Sequence, residues 1–196
     1  MSTLLETKST RATEIYVPRK VWTREQAHQL VDMGFPNAEK LELVNGELID
    51  HMGKKRPHVL WHNLVRQWLM HVFGGDFVQS EDPIDVAPED MPTNEPEPDL
   101  IVTTQSVRDF AANPKPDEIR LLIEIADSTL TYDRTVKAGL YARAGIREYW
   151  VLNVPEKKLV VHRSPKSGEY TQITIHASDE AVTPLGAQAP FCLDKL

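Results

Sequence analysis

The chain has 196 residues with 41% apolar and 26% charged side chains, ordinary usage that supplies a core for one domain and excludes a wholly disordered polypeptide. Its single cysteine, Cys192, excludes an intrachain disulfide framework and a Cys-rich zinc site and suits a reducing, cytoplasmic setting. The net charge of −7 argues against non-specific, charge-driven attraction to nucleic acid, yet leaves room for a nucleic-acid enzyme whose carboxylates are offset by bound cations.

Residues 1–21 read as a polar tail and lead-in: they lack the apolar block of a secretory signal, and no later stretch approaches the roughly 18 consecutive apolar residues of a membrane helix. Thr23, with Gln26 three residues on, predicts a helix start, and Gly34 its stop. The run Leu41-Glu42-Leu43-Val44-Asn45-Gly46-Glu47-Leu48-Ile49 then predicts a two-residue hairpin, because Asn and Gly tolerate the positive φ that such a turn needs. Alternation puts Leu41, Leu43 and Leu48 on one face and Glu42, Val44, Glu47 and Ile49 on the other.

Residues 58–72 have helical periodicity, with Leu60, Leu64, Val65, Trp68 and Val72 as the apolar stripe and Gly74-Gly75 as its end. Trp61 and Trp68 read as core. Phe77-Val78 predicts a short strand, and the proline-rich acidic stretch 83–98 a long loop, uncommon in compact domains unless it has work to do. Residues 99–102 and 119–126 read as buried strands, the second with Leu121, Ile123 and Ile125 on one face and Leu122, Glu124 and Ala126 on the other. A helix over about 133–144, capped by Gly145, leads into a strand at 147–153, and residues 159–162 and 170–175, joined through 164–168, predict a closing hairpin.

Two acids stand out. Asp99 opens a buried strand and Glu124 sits inside the most apolar one, where a carboxylate is costly unless it is paired, hydrogen-bonded or on a metal. On adjacent strands they could share one hard cation such as Mg²⁺, which prefers oxygen ligands. The plainer alternatives are a turn-ending role for Asp99 and an ion pair with Arg120, on the same strand face, for Glu124. Asp133, Lys137 and Tyr141 recur at four-residue spacing and line one helical face; they are either an exposed pair with a tyrosine or a lysine brought to a metal site. Weaker signals are His58 and His62 at i, i+4, which lack the glutamate of a zinc protease, and Lys54-Lys55-Arg56, a phosphate contact or a solvated turn. Ser128 and Ser164 have no triad around them.

The strings Pro98-Asp99, Glu124-Ile125-Ala126-Asp127-Ser128-Thr129, Tyr132-Asp133-Arg134-Thr135-Val136-Lys137 and Leu140-Tyr141-Ala142-Arg143-Ala144-Gly145-Ile146-Arg147-Glu148-Tyr149-Trp150 together resemble the Uma-type family of bacterial restriction endonucleases, within the PD-(D/E)xK nuclease superfamily. The Leu41–Glu47 hairpin and His58 also look like the family pattern. The resemblance spans residues 22–193.

It implies a single restriction-endonuclease-like α/β (α+β) domain over residues 22–196: a mixed central sheet flanked by helices, with an N-terminal helix and hairpin and a C-terminal hairpin as additions. The implied activity is Mg²⁺-dependent (or Mn²⁺-dependent) hydrolysis of DNA by a homodimer. Asp99 and Glu124 match the metal-binding acids and Glu42 a further acid, with His58, Tyr141 and Asp133 as accessory candidates. The motif lysine is due at position 126, which is alanine. Lysine migration onto the next helix is a known variation of the superfamily, and Lys137, with Asp133 holding its ammonium, takes the role. Ala126 and the acidic charge keep a second reading open, a degenerate nuclease-like module that binds nucleic acid or protein without cutting.

Overall fold

The computed structural model describes residues 19–50 and 55–196; most of the polar tail and Lys54 lie outside them. The first helix, α1 (Arg24–Asp32), starts as the sequence predicts: the Thr23 side chain accepts from Gln26 N and the Gln26 side chain accepts from Thr23 N. Strands β1 (Leu41–Val44) and β2 (Glu47–Asp50) form the predicted hairpin with Leu43 opposite Leu48 and Val44 opposite Glu47. Asn45 and Gly46 both take positive φ, 50° and 74°. A methyl group on Gly46 would sit 2.5 Å from a Val21 methyl. Gly46→Ala therefore combines backbone strain with a clash, and we expect it to cost about 1–3 kcal/mol in chemical denaturation.

Helix α2 (Arg56–Phe73) follows, then β3 (Val78–Gln79), β4 (Leu100–Thr103) and β5 (Ile119–Ala126). The helical stretch 130–143 is one α-turn, α3 (Leu130–Tyr132), a π-helical turn at Asp133–Lys137, and α4 (Ala138–Arg143). It crosses over to β6 (Glu148–Asn153), which pairs with β5 in parallel. β7 (Lys158–Lys166) and β8 (Glu169–His176) complete a six-stranded mixed sheet of order β3-β4-β5-β6-β7-β8. The closing hairpin thus extends the central sheet. Its pairing runs through Pro165 opposite Tyr170, so the turn shrinks to Ser167-Gly168, both at positive φ.

Each sheet face is covered by a helix. On one, Leu121, Ile123, Ile125, Trp150 and Leu152 pack with Val65 and Leu69 of α2. On the other, Leu122, Ala126, Tyr149 and Val151 pack with Ala138, Tyr141 and Ala142 of α4. The α2 stripe differs from expectation at one end. Leu60 is 50% exposed, while Trp61, Val65, Trp68 and Leu69 meet the core, because the helix is rotated by one position relative to the predicted face. Residues 83–98 form the long connection expected, pinned to the hairpin by reciprocal Leu43–Glu95 backbone hydrogen bonds. Among the described residues, no helix is long and apolar enough to cross a membrane.

Candidate active site

β4 and β5 run antiparallel with Leu100 opposite Ile123, so one further step of that register sets Asp99 opposite Glu124. Both line a cavity of about 390 Å³ together with Glu42, Asp50, His58, Asp127, Asp133 and Lys137. The cavity lies where β5 ends, the β1–β2 hairpin folds over, and α2 and the π-helical turn begin.

Lys137 is the hub of this site. Its Nζ lies 3.0 Å from Glu42 Oε2 and 3.0 Å from Glu124 Oε1, and all three side chains are buried. Tyr141, one turn on, donates its hydroxyl to the same Glu124 oxygen at 3.1 Å. Glu124 makes no bond to Arg120, whose guanidinium reaches Thr104 O instead. Glu42 Oε2 also accepts from Glu97 N at 3.2 Å. Its hairpin neighbour Glu47 points outward to Arg19. The hairpin therefore delivers one acid to the cavity and leaves the other in solvent.

The pairing expected between Asp133 and Lys137 does not form. The 133–137 turn is π-helical, with Ala138 N donating to Asp133 O five residues back, which takes i and i+4 side chains out of the stacking an α-helix gives them. Asp133 instead accepts from Thr129 Oγ1 at 2.6 Å. Lys137 is freed to reach across to β1 and β5. The π-turn is thus the local feature that aims the lysine.

Asp99 is held from two elements. Its Oδ2 accepts from Ile125 N at 2.7 Å. His58 Nε2 lies 3.1 Å from Oδ1 and 3.2 Å from Oδ2, and His62 Nε2 lies 3.1 Å from the Asp99 carbonyl oxygen. His62, Thr129 and the Asp127-Ser128 pair are neighbours of the site to which the sequence assigned no role in it, and Lys55, weighed as a phosphate contact or a solvated turn, lines its wall. The polar cluster directly after the strongest strand was the available signal for 127–129.

Negative charge dominates the electrostatics. Burial pushes the Glu124 carboxyl well above the usual range; Lys137 pulls it back, and Asp99, Asp133 and Glu42 push it up again. Burial lifts Asp133 to about 6, against the opposing pull of Lys137 and the Thr129 hydroxyl. Burial and the neighbouring Glu42 and Glu95 lift Glu97 to about 7. For Lys137 burial alone would favour the neutral amine, but Glu124, Glu42 and Asp133 outweigh it and hold the ammonium above its usual value.

A carboxyl whose folded pKa is raised stabilises the fold while it is protonated, and that contribution is lost as pH rises through the folded value. Asp133→Asn keeps an acceptor for Thr129 but cannot ionise. We expect it to match the native protein near pH 4 and to exceed it at pH 8 by about 1–3 kcal/mol, measured by denaturant unfolding at both pH values without added metal.

Among the described residues, no three His, Cys, Asp or Glu side chains converge as a closed cation cage. Mg²⁺ rarely uses one; it is commonly bound through one or two carboxylates, keeping its other positions for water and phosphate. Hard oxygen donors on Asp99 and Glu124, lining one cavity with surplus negative charge, suit that mode.

Comparison with known proteins bears on the fold and the family. No curated protein matches the chain. A putative nuclease belonging to DUF820 from Anabaena variabilis superimposes with a TM-score of 0.61 at 15% identity, over 83% of this chain and 93% of the other. At that identity the likeness speaks for the fold, a mixed sheet flanked by helices as in the nuclease structure. The family model described as "Uma2: Putative restriction endonuclease" matches residues 24–192, which takes in β1, α2, the full six-stranded sheet and every residue of the cavity, and the chain belongs to that family.

Proposed function

We propose that the protein is a divalent-metal-dependent endonuclease that hydrolyses DNA phosphodiester bonds at the Asp99–Glu124–Lys137 cavity. The observation that carries this reading is the Lys137 ammonium, 3.0 Å from both Glu124 and Glu42, in a chain whose motif position 126 is alanine. That a lysine from the following helix reaches both acids supports its standing in for the missing motif lysine. That geometry favours an intact site over a degenerate one.

In this reading Asp99 and Glu124 hold Mg²⁺ or Mn²⁺. When bound, the metal supplies Lewis-acid polarisation of the phosphate and acidifies water. The chain's own groups do the rest. Lys137 keeps its proton at Nζ, so it orients the attacking water and stabilises charge gathering on the phosphate oxygens rather than serving as the base. Glu42, which the family pattern offers as a further metal ligand, is assigned to the lysine, which it holds at 3.0 Å. Tyr141 fixes the Glu124 carboxylate through its 3.1 Å hydrogen bond. Lys55 at the cavity wall is placed to meet a backbone phosphate. Residues 22–196 form the catalytic unit, and cutting both strands is simplest with two copies, so the working form is a homodimer.

The test is cleavage of supercoiled and linear duplex DNA, with RNA alongside, by native protein and Asp99→Ala in Mg²⁺ and Mn²⁺. Native protein should cut DNA and Asp99→Ala should not. Equal cutting by both would place the chemistry elsewhere.

A further inference from the structure

His58 and His62 lie one helical turn apart on α2, so their side chains share a face. Their rings stack with centroids 6.2 Å apart and planes 15° from parallel. In a sequence this spacing reads as a metal-binding pair, because two imidazoles at i and i+4 can grip one ion. Here both Nε2 atoms reach one residue, Asp99, with His62 Nε2 lying also 3.7 Å from Glu81 Oε1. His58 Nε2 meets the Asp99 carboxylate at 3.1 and 3.2 Å, and His62 Nε2 meets the Asp99 carbonyl oxygen at 3.1 Å.

A carboxylate and a carbonyl only accept, so both rings carry hydrogen on Nε2. The other ring nitrogen of His58, Nδ1, is buried with no hydrogen-bond partner among the described residues. Leaving a buried polar atom unpaired is uncommon and costly in a native protein. The helix accepts that cost while turning the other nitrogen onto Asp99.

We infer that His58 and His62 are positioning residues that clamp Asp99, one on the side chain and one on the main chain, and set its grip on the metal. The inference rests on the metal-binding reading given under Proposed function. Asp99 follows Pro98 and precedes β4, outside the ladder of strand hydrogen bonds that would otherwise fix its backbone. Ile125 N anchors Oδ2 at 2.7 Å from the β5 side. The two histidines supply the opposing anchors from α2, so the carboxylate is oriented before any cation arrives. Partners that orient a metal ligand in this way typically govern affinity by about 10–100-fold.

The geometry gives a test that separates positioning from packing. A glutamine amide reaches about as far as Nε2, whereas an asparagine amide reaches only as far as Nδ1, the atom with no partner. Metal-free full-length protein is titrated with Mn²⁺ by calorimetry. His58→Asn should bind Mn²⁺ about 10–100-fold more weakly than native protein, and His58→Gln should recover most of the affinity. Circular dichroism melts confirm folding, and the same pair of substitutions at His62 gives the same comparison from the main-chain side should His58→Asn not fold. Native-like Mn²⁺ affinity in the folded Asn variants, or equal losses in Asn and Gln, overturns the clamp while leaving the metal site standing. If native protein takes up no Mn²⁺, or Asp99→Ala binds it equally well, the metal reading fails and the clamp with it.

Discussion

Lys137→Ala should be the most damaging single substitution in the protein. It removes the only ammonium bonded to Glu42 and Glu124 among the described residues, and leaves two buried carboxylates without that shared counter-charge. Breaking a buried pair by deleting one partner typically costs about 3–5 kcal/mol, most of it the penalty of the stranded charge. The loss should be greatest near pH 8 and shrink toward pH 5, because Glu124, already pushed up by burial in the native protein, can then protonate. Cleavage should fall by about 10²–10³-fold, the scale for removing one preorganised donor from a developing charge. Lys137→Arg should not restore it: the buried site is shaped round a compact ammonium, and the larger planar guanidinium must displace its neighbours to enter. Denaturant unfolding at two pH values and cleavage rates on the same preparations check both halves. A surface ion pair, by contrast, would cost a few tenths of a kcal/mol and leave activity unchanged.

Glu124→Gln should split function from stability in the opposite sense. The amide can still accept from Tyr141 and Lys137, and Lys137 keeps Glu42. What disappears is a buried carboxylate that burial and its acidic neighbours hold well above the ordinary range. Its proton stabilises the fold at low pH, and that contribution is lost as pH rises, so the glutamine variant should melt with the native protein in acid and above it at pH 8 in the absence of metal. Divalent-metal affinity should drop by more than the roughly 10–100-fold that an outer partner commands, because a ligand itself is gone. Cleavage should go with it. A stabilised but inactive variant is the behaviour of a residue kept for chemistry at the expense of the fold.

The parts of the site that rest on local pattern were legible in the sequence. Asn45-Gly46 fixed the hairpin register and hence the face that carries Glu42. The apolar alternation of 119–126 placed Glu124 on the face it shares with Leu122 and Ala126, and the pairing of two buried strands, with Leu100 opposite Ile123, sets Asp99 beside it. The distance from Glu124 to Lys137 allowed the helix to fold back over the strand. What escaped depends on departures from ideal geometry or on contacts between distant segments. The π-turn at Asp133–Lys137 breaks the four-residue stacking on which an Asp133–Lys137 pair depended. That Glu42 would hold the lysine, and that His62 would hold the Asp99 carbonyl oxygen, follows only once β1 and α2 have docked at the end of the sheet. Leu60 shows the same limit in miniature, since a small rotation of α2 decides which edge of its apolar stripe meets the core.

The measurement that bears most directly on the central claim is cleavage of duplex DNA by purified native protein, first with chelator and then with Mg²⁺ or Mn²⁺ restored. The arrangement of Asp99, Glu124 and Lys137 predicts no cutting in chelator and recovery of cutting with either ion. Cutting that persists in chelator, or a folded native protein that cuts with neither ion, would contradict a metal-dependent nuclease at this site.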